Sequence, residues 1–288
     1  MMPAHKWLSR DSIGDEVRCY AEIAEDMECD MRFPLPTAGM DLSGQTALVT
    51  GATSGLGYRF AKVLALAGAQ VAVAGRRQDR LQSVVSEIRE AGGTAFALSL
   101  DVADAQSLSG AVAEAERELG LITILINNAG MPDAQLATKM PLELIDQVLN
   151  VNLRGPFVLA REVAARLILA KQPGRIVNIA SMAAFNYAIK GSSLYSITKS
   201  AVVRMTEVLA VEWASAHINV NCIAPGSFDT EMLDGMRSRI GDTFIEQFPR
   251  KRLGDPAQLD STLLYLVSST SDAVTGTVIR VDDGQLPR

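Results

Sequence analysis

Tyr195 and Lys199 stand four residues apart in a stretch, Tyr195–Ser215, whose apolar spacing predicts a helix. Residues i and i+4 share one face of a helix, so the phenol and the ammonium are expected side by side. A nearby cation stabilises phenolate and lowers the phenol's pKa. Tyr195 is therefore expected to hand a proton to a carbonyl oxygen near neutral pH. Ser181 follows the apolar run Arg175–Ala180, which places it at the end of a predicted strand. Its hydroxyl can hydrogen-bond the same oxygen. Taken alone, Tyr-x-x-x-Lys also occurs as an ordinary exposed helix pair, so its surroundings must decide.

A second group of residues suits an anion. Thr46-Ala47-Leu48-Val49 predicts a buried strand, and Tyr58–Ala67 a helix with Phe60, Val63, Leu64 and Ala67 on one face. Between them lies Thr50-Gly51-Ala52-Thr53-Ser54-Gly55-Leu56-Gly57. The N–H groups at a helix start are unpaired and carry partial positive charge. Glycines let backbone approach a pyrophosphate. Gly51, Thr53, Ser54, Gly55, Leu56 and Gly57 are thus candidate cofactor contacts. The spacing Gly-x3-Gly-x-Gly differs from Gly-x-Gly-x-x-Gly, and no P-loop Lys-Ser/Thr follows. An ordinary tight turn is the plain alternative.

The next strand ends Val73-Ala74-Gly75-Arg76-Arg77. In a dinucleotide fold this is where the adenosine ribose lies. A carboxylate there takes the 2′-hydroxyl of NAD, whereas arginine pairs with the 2′-phosphate of NADP. Arg76 and Arg77 favour NADP(H) over NAD(H); the other reading is two solvated residues opening a helix. Asp101-Val102 closes the third strand, where it can meet the adenine or cap a helix. Asn127-Asn128-Ala129-Gly130 closes the fourth, with small and amide residues that let backbone approach a cofactor.

These pieces need a scaffold that brings strand ends together. From Asp41 onward apolar runs alternate with helical patterns. The runs are Gln70–Ala74, Thr94–Ser99, Ile122–Ile126, Arg175–Ala180, Asn219–Ile223 and Thr277–Val281; the helices include Gln78–Ala91, Ala105–Leu119, Leu142–Leu169 and Pro256–Leu266. Continuously apolar strands indicate a parallel sheet covered on both faces. The expected class is α/β, a doubly wound Rossmann-like parallel sheet in one domain, residues 41–288, with ligands beyond the strands' carboxyl ends. Residues 1–40 read as an acidic N-terminal arm with a net charge of −4. An amphipathic helix is expected from about Ser12 to Glu28, then the linker Phe33-Pro34-Leu35-Pro36. A disordered tail is the alternative.

Composition narrows the partners. A net charge of −6 argues against a nucleic-acid polyanion. Two histidines make a His-based triad or metal site improbable, and three cysteines lack metal spacing, so no metal is expected. An odd cysteine number suits reduced thiols and a cytoplasmic location. Neither a membrane span nor a signal segment is expected.

Taken together, these motifs and their order resemble the short-chain dehydrogenase/reductase family in its compact single-domain form. The resemblance covers about Asp41 to Gly284. It rests on the glycine turn, Asn127-Asn128-Ala129-Gly130, the second asparagine of Asn150-Val151-Asn152-Leu153, Ser181, Tyr195-x3-Lys199, Pro225-Gly226 with Thr230, and Val281-Asp282-Asp283-Gly284. The resemblance implies that Tyr195 is the general acid in reduction and the base in oxidation. It implies that Lys199 binds the nicotinamide ribose and lowers the Tyr195 pKa, and that Ser181 polarises the carbonyl. Asn152 would hold a bend in the long helix and a water of the proton relay. Pro225-Gly226 would pass the nicotinamide, Thr230 would touch its carboxamide or the pyrophosphate, and subunits would pair as a homodimer or homotetramer. Two departures are Asp-Asp-Gly in place of Asp-Gly-Gly, and a Ser181–Tyr195 spacing one residue longer than in many relatives.

The implied reaction interconverts a ketone and a secondary alcohol by hydride transfer. Residues Met182–Leu194 and Ser227–Phe248 are expected to wall the substrate. The candidate contacts are Met182, Phe185, Tyr187, Phe228 and Met232, with Leu233, Met236, Ile240, Phe244 and Phe248 as a lid stripe. Arg250-Lys251-Arg252 could recruit an acidic substrate or form a solvated turn. A 3-oxoacyl thioester or another acidic or mixed apolar ketone is the first expectation. A sugar acid or polyol is the alternative, and an NADP-binding sensor is the alternative of another class.

Overall fold

Seven apolar segments form the strands of one sheet: β1 (Thr46–Thr50), β2 (Gln70–Gly75), β3 (Thr94–Ser99), β4 (Ile124–Asn127), β5 (Gly174–Ile179), β6 (Ile218–Pro225) and β7 (Val278–Val281). The computed structural model describes residues 39–186 and 190–285. The chain divides into two units, Met1–Ala38 and Gly39–Arg288, and every described residue belongs to the second. The helix expected within the arm lies outside the described residues.

The strand order is β3-β2-β1-β4-β5-β6-β7, and each neighbouring pair is parallel. β1, β4, β5 and β6 are buried along their whole length. Two cores result, because alternate side chains point to opposite faces. Leu48, Leu125 and Ile176 enter one core; Val49, Ile126 and Val177 enter the other. The second core is closed by α1 (Gly55–Leu66), α2 (Gln78–Glu90) and α8 (Asp260–Val267). On α2 the buried residues Leu81, Val84, Val85 and Ile88 recur at helical spacing. The first core is closed by α3 (Leu108–Leu119), α5 (Gly155–Ala170) and α6 (Ser193–Glu212).

The long helix expected over 142–169 is interrupted. α4 (Leu142–Leu149) passes into a π turn, Asn150–Arg154, before α5 begins. Gly155-Pro156 follows at once, and proline has no N–H to return to the previous turn. The turn lets Gly155 press against the loop after β3: a Cβ there would lie 2.4 Å from the Val102 carbonyl oxygen. It also turns Asn152 inward. α7 (Glu231–Ile240) lies in the segment between β6 and α8.

Buried amides tie the layers. Asn127 donates to Asn178 Oδ1 at 2.9 Å and to the Pro156 carbonyl at 3.1 Å, and Asn178 donates to Thr206 Oγ1 at 3.0 Å. β4, β5, α5 and α6 are thus joined at the carboxyl side of the sheet. Gly155→Ala should lower stability by about 2 kcal/mol through overpacking against fixed backbone. Gly110→Ala, in α3 with nothing within 4 Å of the added carbon, should raise it by roughly 0.5 kcal/mol. Urea denaturation of the two variants against the parent protein checks both signs.

Candidate active site

β1 lies between β2 and β4, so the chain reverses its direction of progress across the sheet at this point. A crevice opens there at the carboxyl ends. The Thr50 hydroxyl donates to the Ile126 carbonyl at 3.2 Å and accepts the N–H groups of Asn128 and Ala129 at 3.0 and 3.1 Å. The Asn128 amide donates to the carbonyls of Thr50 and Gly51 at 2.9 and 3.3 Å. These bonds fix the two strand ends against each other.

One cleft of about 460 Å³ runs along these ends. Gly51, Thr53, Ser54, Gly55 and Leu56 line it at the start of α1. Gly51 and Gly55 have φ of 66° and 54°, where a side chain is strained. Gly57 does not line the cleft. A Cβ there would stand 2.3 Å from the Gly51 carbonyl oxygen, so it lets helix and turn close together. Ser54 makes no side-chain cap to α1, which leaves that helix end open to an anion.

Arg76, Arg77, Asp101 and Val102 line the end reached by β2 and β3. Arg77 donates to Thr53 Oγ1 at 2.7 Å and to Ser54 Oγ at 2.9 Å, and it pairs with Glu231 at 3.0 Å. Arg80 holds the other oxygen of the same carboxylate. The hydrogen bonds from Arg77 and Arg80 keep the Glu231 carboxyl down at about 2. Arg76 is exposed, 4.0 Å from Asp101. Asp101 accepts the Ala103 N–H at 3.0 Å, the local turn-forming role open to it from sequence.

Asn128, Ala129, Gly130, Pro225, Gly226 and Thr230 line the middle of the cleft, and Ser181, Tyr195 and Lys199 the far end. Ser181 hydrogen-bonds the Tyr195 phenol. Lys199 is buried, donates to the Ile179 carbonyl at 2.8 Å, and has its Nζ 5.6 Å from the Tyr195 ring centre. Asn152 stands behind this group. Its Oδ1 accepts the Met131 N–H at 2.8 Å, and its Nδ2 donates to the Met131 carbonyl at 2.9 Å and to Thr198 Oγ1 at 3.2 Å.

The electrostatics differ from the sequence-based expectation. The Tyr195 phenol is pushed above its ordinary value, not lowered. Burial is the main cause, opposed by the Ser181 hydrogen bond and reinforced by the Asp133 carboxylate. Burial also pulls the neighbouring Lys199 ammonium down, to about 8.

The substrate contacts expected from sequence divide. Phe228 and Met232 line the cleft. Met182 is buried in the core, and Phe185 stacks under Arg280, whose guanidinium carbon is 3.9 Å from the ring centre; neither lines the cleft. Tyr187 lies outside the described residues, as do the side chains of Met236 and Ile240. Met131, Gln147, Val151 and Glu231 also line the cleft. None was among the residues expected to touch a ligand, although Met131 follows Gly130, Val151 precedes the motif asparagine Asn152, and Glu231 follows Thr230. The basic run is already paired. Arg250 and Arg252 each reach Asp283 at 2.7 Å, and Lys251 lies 3.5 Å from Glu246. Among the described residues no group of three or more His, Cys, Asp and Glu is placed to hold a metal ion. No described helix is long and apolar enough to cross a membrane.

The short chain dehydrogenase family matches residues 45–241. The chain belongs to this family. The 2-dehydro-3-deoxy-D-gluconate 5-dehydrogenase of Formosa agariphila is 34% identical over 250 residues, covering 85% of this chain and 94% of the relative. The 3-oxoacyl-[acyl-carrier-protein] reductase FabG of Thermotoga maritima is 34% identical over 245 residues, covering 85% and 99%. A solved short-chain type dehydrogenase/reductase from Mycobacterium marinum superposes with a TM-score of 0.83 at 36% identity, covering 86% of this chain and 98% of that one. The protein is thus an oxidoreductase acting between CH–OH and C=O groups, in a family that uses NAD(H) or NADP(H).

The fall of the Lys199 ammonium from 10.5 to about 8 also bears on stability. The folded chain binds this proton less tightly than the unfolded chain. Stability is therefore depressed below about pH 8, recovers as pH rises, and loses the deficit above about 10.5. At about 1.4 kcal/mol per pKa unit the deficit is roughly 3 kcal/mol, and the Ile179 hydrogen bond returns about 1. Lys199→Met should be more stable than the parent by roughly 2 kcal/mol at pH 7. That advantage should shrink between pH 8 and 10.5, which denaturation at a series of pH values reads directly.

Proposed function

We propose that this protein reduces a ketone with NADPH, Tyr195 giving the proton. The observation that carries the cofactor preference is Arg77, bonded to Thr53 and Ser54 at the end of the cleft where β2 and β3 finish, with Arg76 beside it. A 2′-phosphate at this end meets arginine and two hydroxyls. The cleft also fits the rest of a dinucleotide. The open end of α1 suits the pyrophosphate. At Gly130 a Cβ would come within 3.4 Å of Lys199 Nζ, so glycine keeps that wall low.

Gly51, Thr53, Ser54, Gly55 and Leu56 would hold the phosphates. Asp101 and Val102 would border the adenine, and Asn128, Ala129, Gly130, Pro225, Gly226 and Thr230 the nicotinamide half. Bound there, NADPH supplies the hydride. Ser181 and Tyr195 would hold the substrate oxygen between two hydroxyls. Tyr195 passes its proton to that oxygen as charge develops, and the buried Lys199 cation favours the phenolate left behind. Asn152 would keep the Met131 backbone and the Thr198 turn of α6 in place. The phenol needs this support, since burial alone would keep it protonated.

Met131, Val151, Phe228 and Met232 give the substrate end an apolar lining, which supports a 3-oxoacyl thioester or a similar mixed ketone. The sugar-acid reading is the second. It is supported by the exposed Gln147 amide in the lining and by the gluconate-type relative. Capture of an acidic substrate by Arg250-Lys251-Arg252 loses support, because Asp283 and Glu246 already pair these cations. The exposed Ile197, Val208 and Val211 of α6 and Phe157, Ile168 and Leu169 of α5 give apolar faces through which subunits would pair as a dimer or tetramer. A buried free thiol at Cys222 agrees with a cytoplasmic setting.

Tyr195→Phe should lower kcat by roughly 100-fold or more while NADPH affinity stays within a few fold. Arg77→Ala should weaken NADPH binding by roughly 10-fold or more and leave NADH nearly unchanged. Turnover of 3-oxoacyl thioesters, keto-sugar acids and simple ketones, followed by NADPH loss, separates the substrate readings. Bound NADPH with no turnover of any class would sink the reductase reading.

A further inference from the structure

Asp133 is a buried carboxylate in the loop after β4, 3% exposed and in none of the motifs. Its Oδ2 accepts the backbone N–H groups of Leu194 at 2.8 Å and Tyr195 at 3.1 Å. Its Oδ1 accepts the Ala134 N–H at 2.8 Å. The Ser192 side chain, at the local cap position of α6, makes no capping bond. The helix that carries Tyr195 and Lys199 is therefore capped by a residue 61 positions away from its first turn. Ala134 takes a φ of 52°, a conformation that costs a non-glycine residue about 1 kcal/mol. The loop bears that strain where it presents the carboxylate.

Two consequences follow from the placement. The loop is clipped at Met131 by both atoms of the Asn152 carboxamide and at Asp133 by the first turn of α6. Met131 lines the cleft, so this wall and the Tyr195 backbone are held as one piece. The second consequence is electrostatic. A full negative charge bonded to the Tyr195 peptide group opposes formation of a phenolate on the same residue. The ionisable groups facing this centre are Asp133 from the loop after β4, Lys199 one turn along α6, and the Cys222 thiol of β6, pushed up to about 11 by burial. From the end of β5 comes the neutral Ser181, and from the π turn the neutral Asn152. Asp133 is the one carboxylate among them.

We propose that Asp133 is a positioning residue that anchors Tyr195 and keeps its phenol protonated to higher pH than the neighbouring cation alone would allow. The site is thereby suited to giving a proton, the requirement of carbonyl reduction. This inference rests on Tyr195 being the proton donor.

The test is a tyrosinate absorbance titration of the intact protein, with the Tyr195 signal isolated by subtracting Tyr195→Phe. Asp133→Asn keeps an acceptor for the helix N–H groups and removes the charge. The Tyr195 titration should then move down by about one pKa unit. The pH limb of kcat/KM for alcohol oxidation, which needs the deprotonated phenol, should move the same way. NADPH affinity should stay within about two-fold, since no cofactor-facing group changes. Asp133→Ser, a shorter neutral cap, must shift the titration in the same direction. A purely structural cap would lower stability and leave the titration in place. An unmoved titration in either folded variant overturns the inference. Full turnover by Tyr195→Phe would instead overturn the proton-donor reading beneath it, so the two failures are distinct.

Discussion

The seam between β1 and β4 is the constraint on which the site depends. A parallel sheet covered by helices on both faces has only its strand ends free, and neighbouring ends normally lie tight against each other. Here the chain runs outward in both directions from β1, and the helices after β1 and β4 lie on opposite faces. The strand ends would separate without cross-links. The Thr50 hydroxyl and the Asn128 amide close that gap with five hydrogen bonds, each spanning 76 to 79 residues of sequence. A hydroxyl that donates once and accepts twice satisfies backbone groups that would otherwise lie unpaired and dry. The glycine turn above the seam can then spend its N–H groups on a ligand.

Burying charge beside Tyr195 has a cost. Lys199 sits 4% exposed and donates to a carbonyl oxygen rather than a carboxylate. Asp133 is met by peptide N–H groups rather than a cation. Among the described residues neither forms the ion pair that would quench it, and Tyr195 stands between them. Such an arrangement sacrifices stability and retains two unneutralised fields acting on one phenol. Opposite charges in direct contact would be more stable and would leave the tyrosine indifferent to both.

Much of this was legible in the sequence. Continuous apolar runs gave the parallel strands because full burial leaves no alternation to read. Tyr195 with Lys199, and Thr53 with Gly55, could be paired because their contacts are local, within one helical turn or one tight bend. Arg77 could be placed because it closely follows the end of a strand. What escaped were contacts between distant segments. Asp133 meets α6 across 61 residues, and Glu231 meets Arg77 and Arg80 across more than 150. Met182 and Phe185 adjoin Ser181 in the chain, yet a turn of 3-10 helix, Met182–Ala184, sends one into the core and the other against Arg280. The π turn at Asn150 was hidden because the apolar pattern continues through it.

The Pro225-Gly226 wall of the cleft is braced from far along the chain. Gln285 accepts the Ser227 N–H at 2.6 Å and donates to the Ser227 carbonyl at 3.0 Å, and Asp283, at a φ of 53°, secures both Arg250 and Arg252. The opposite wall is built from residues 51–57. During synthesis, a ribosome that has released β1 through β6 still presents an unbraced wall. The nascent chain can hold a sheet and the glycine turn well before it holds both walls of the cleft. Completion of this cleft waits on a segment translated after β7.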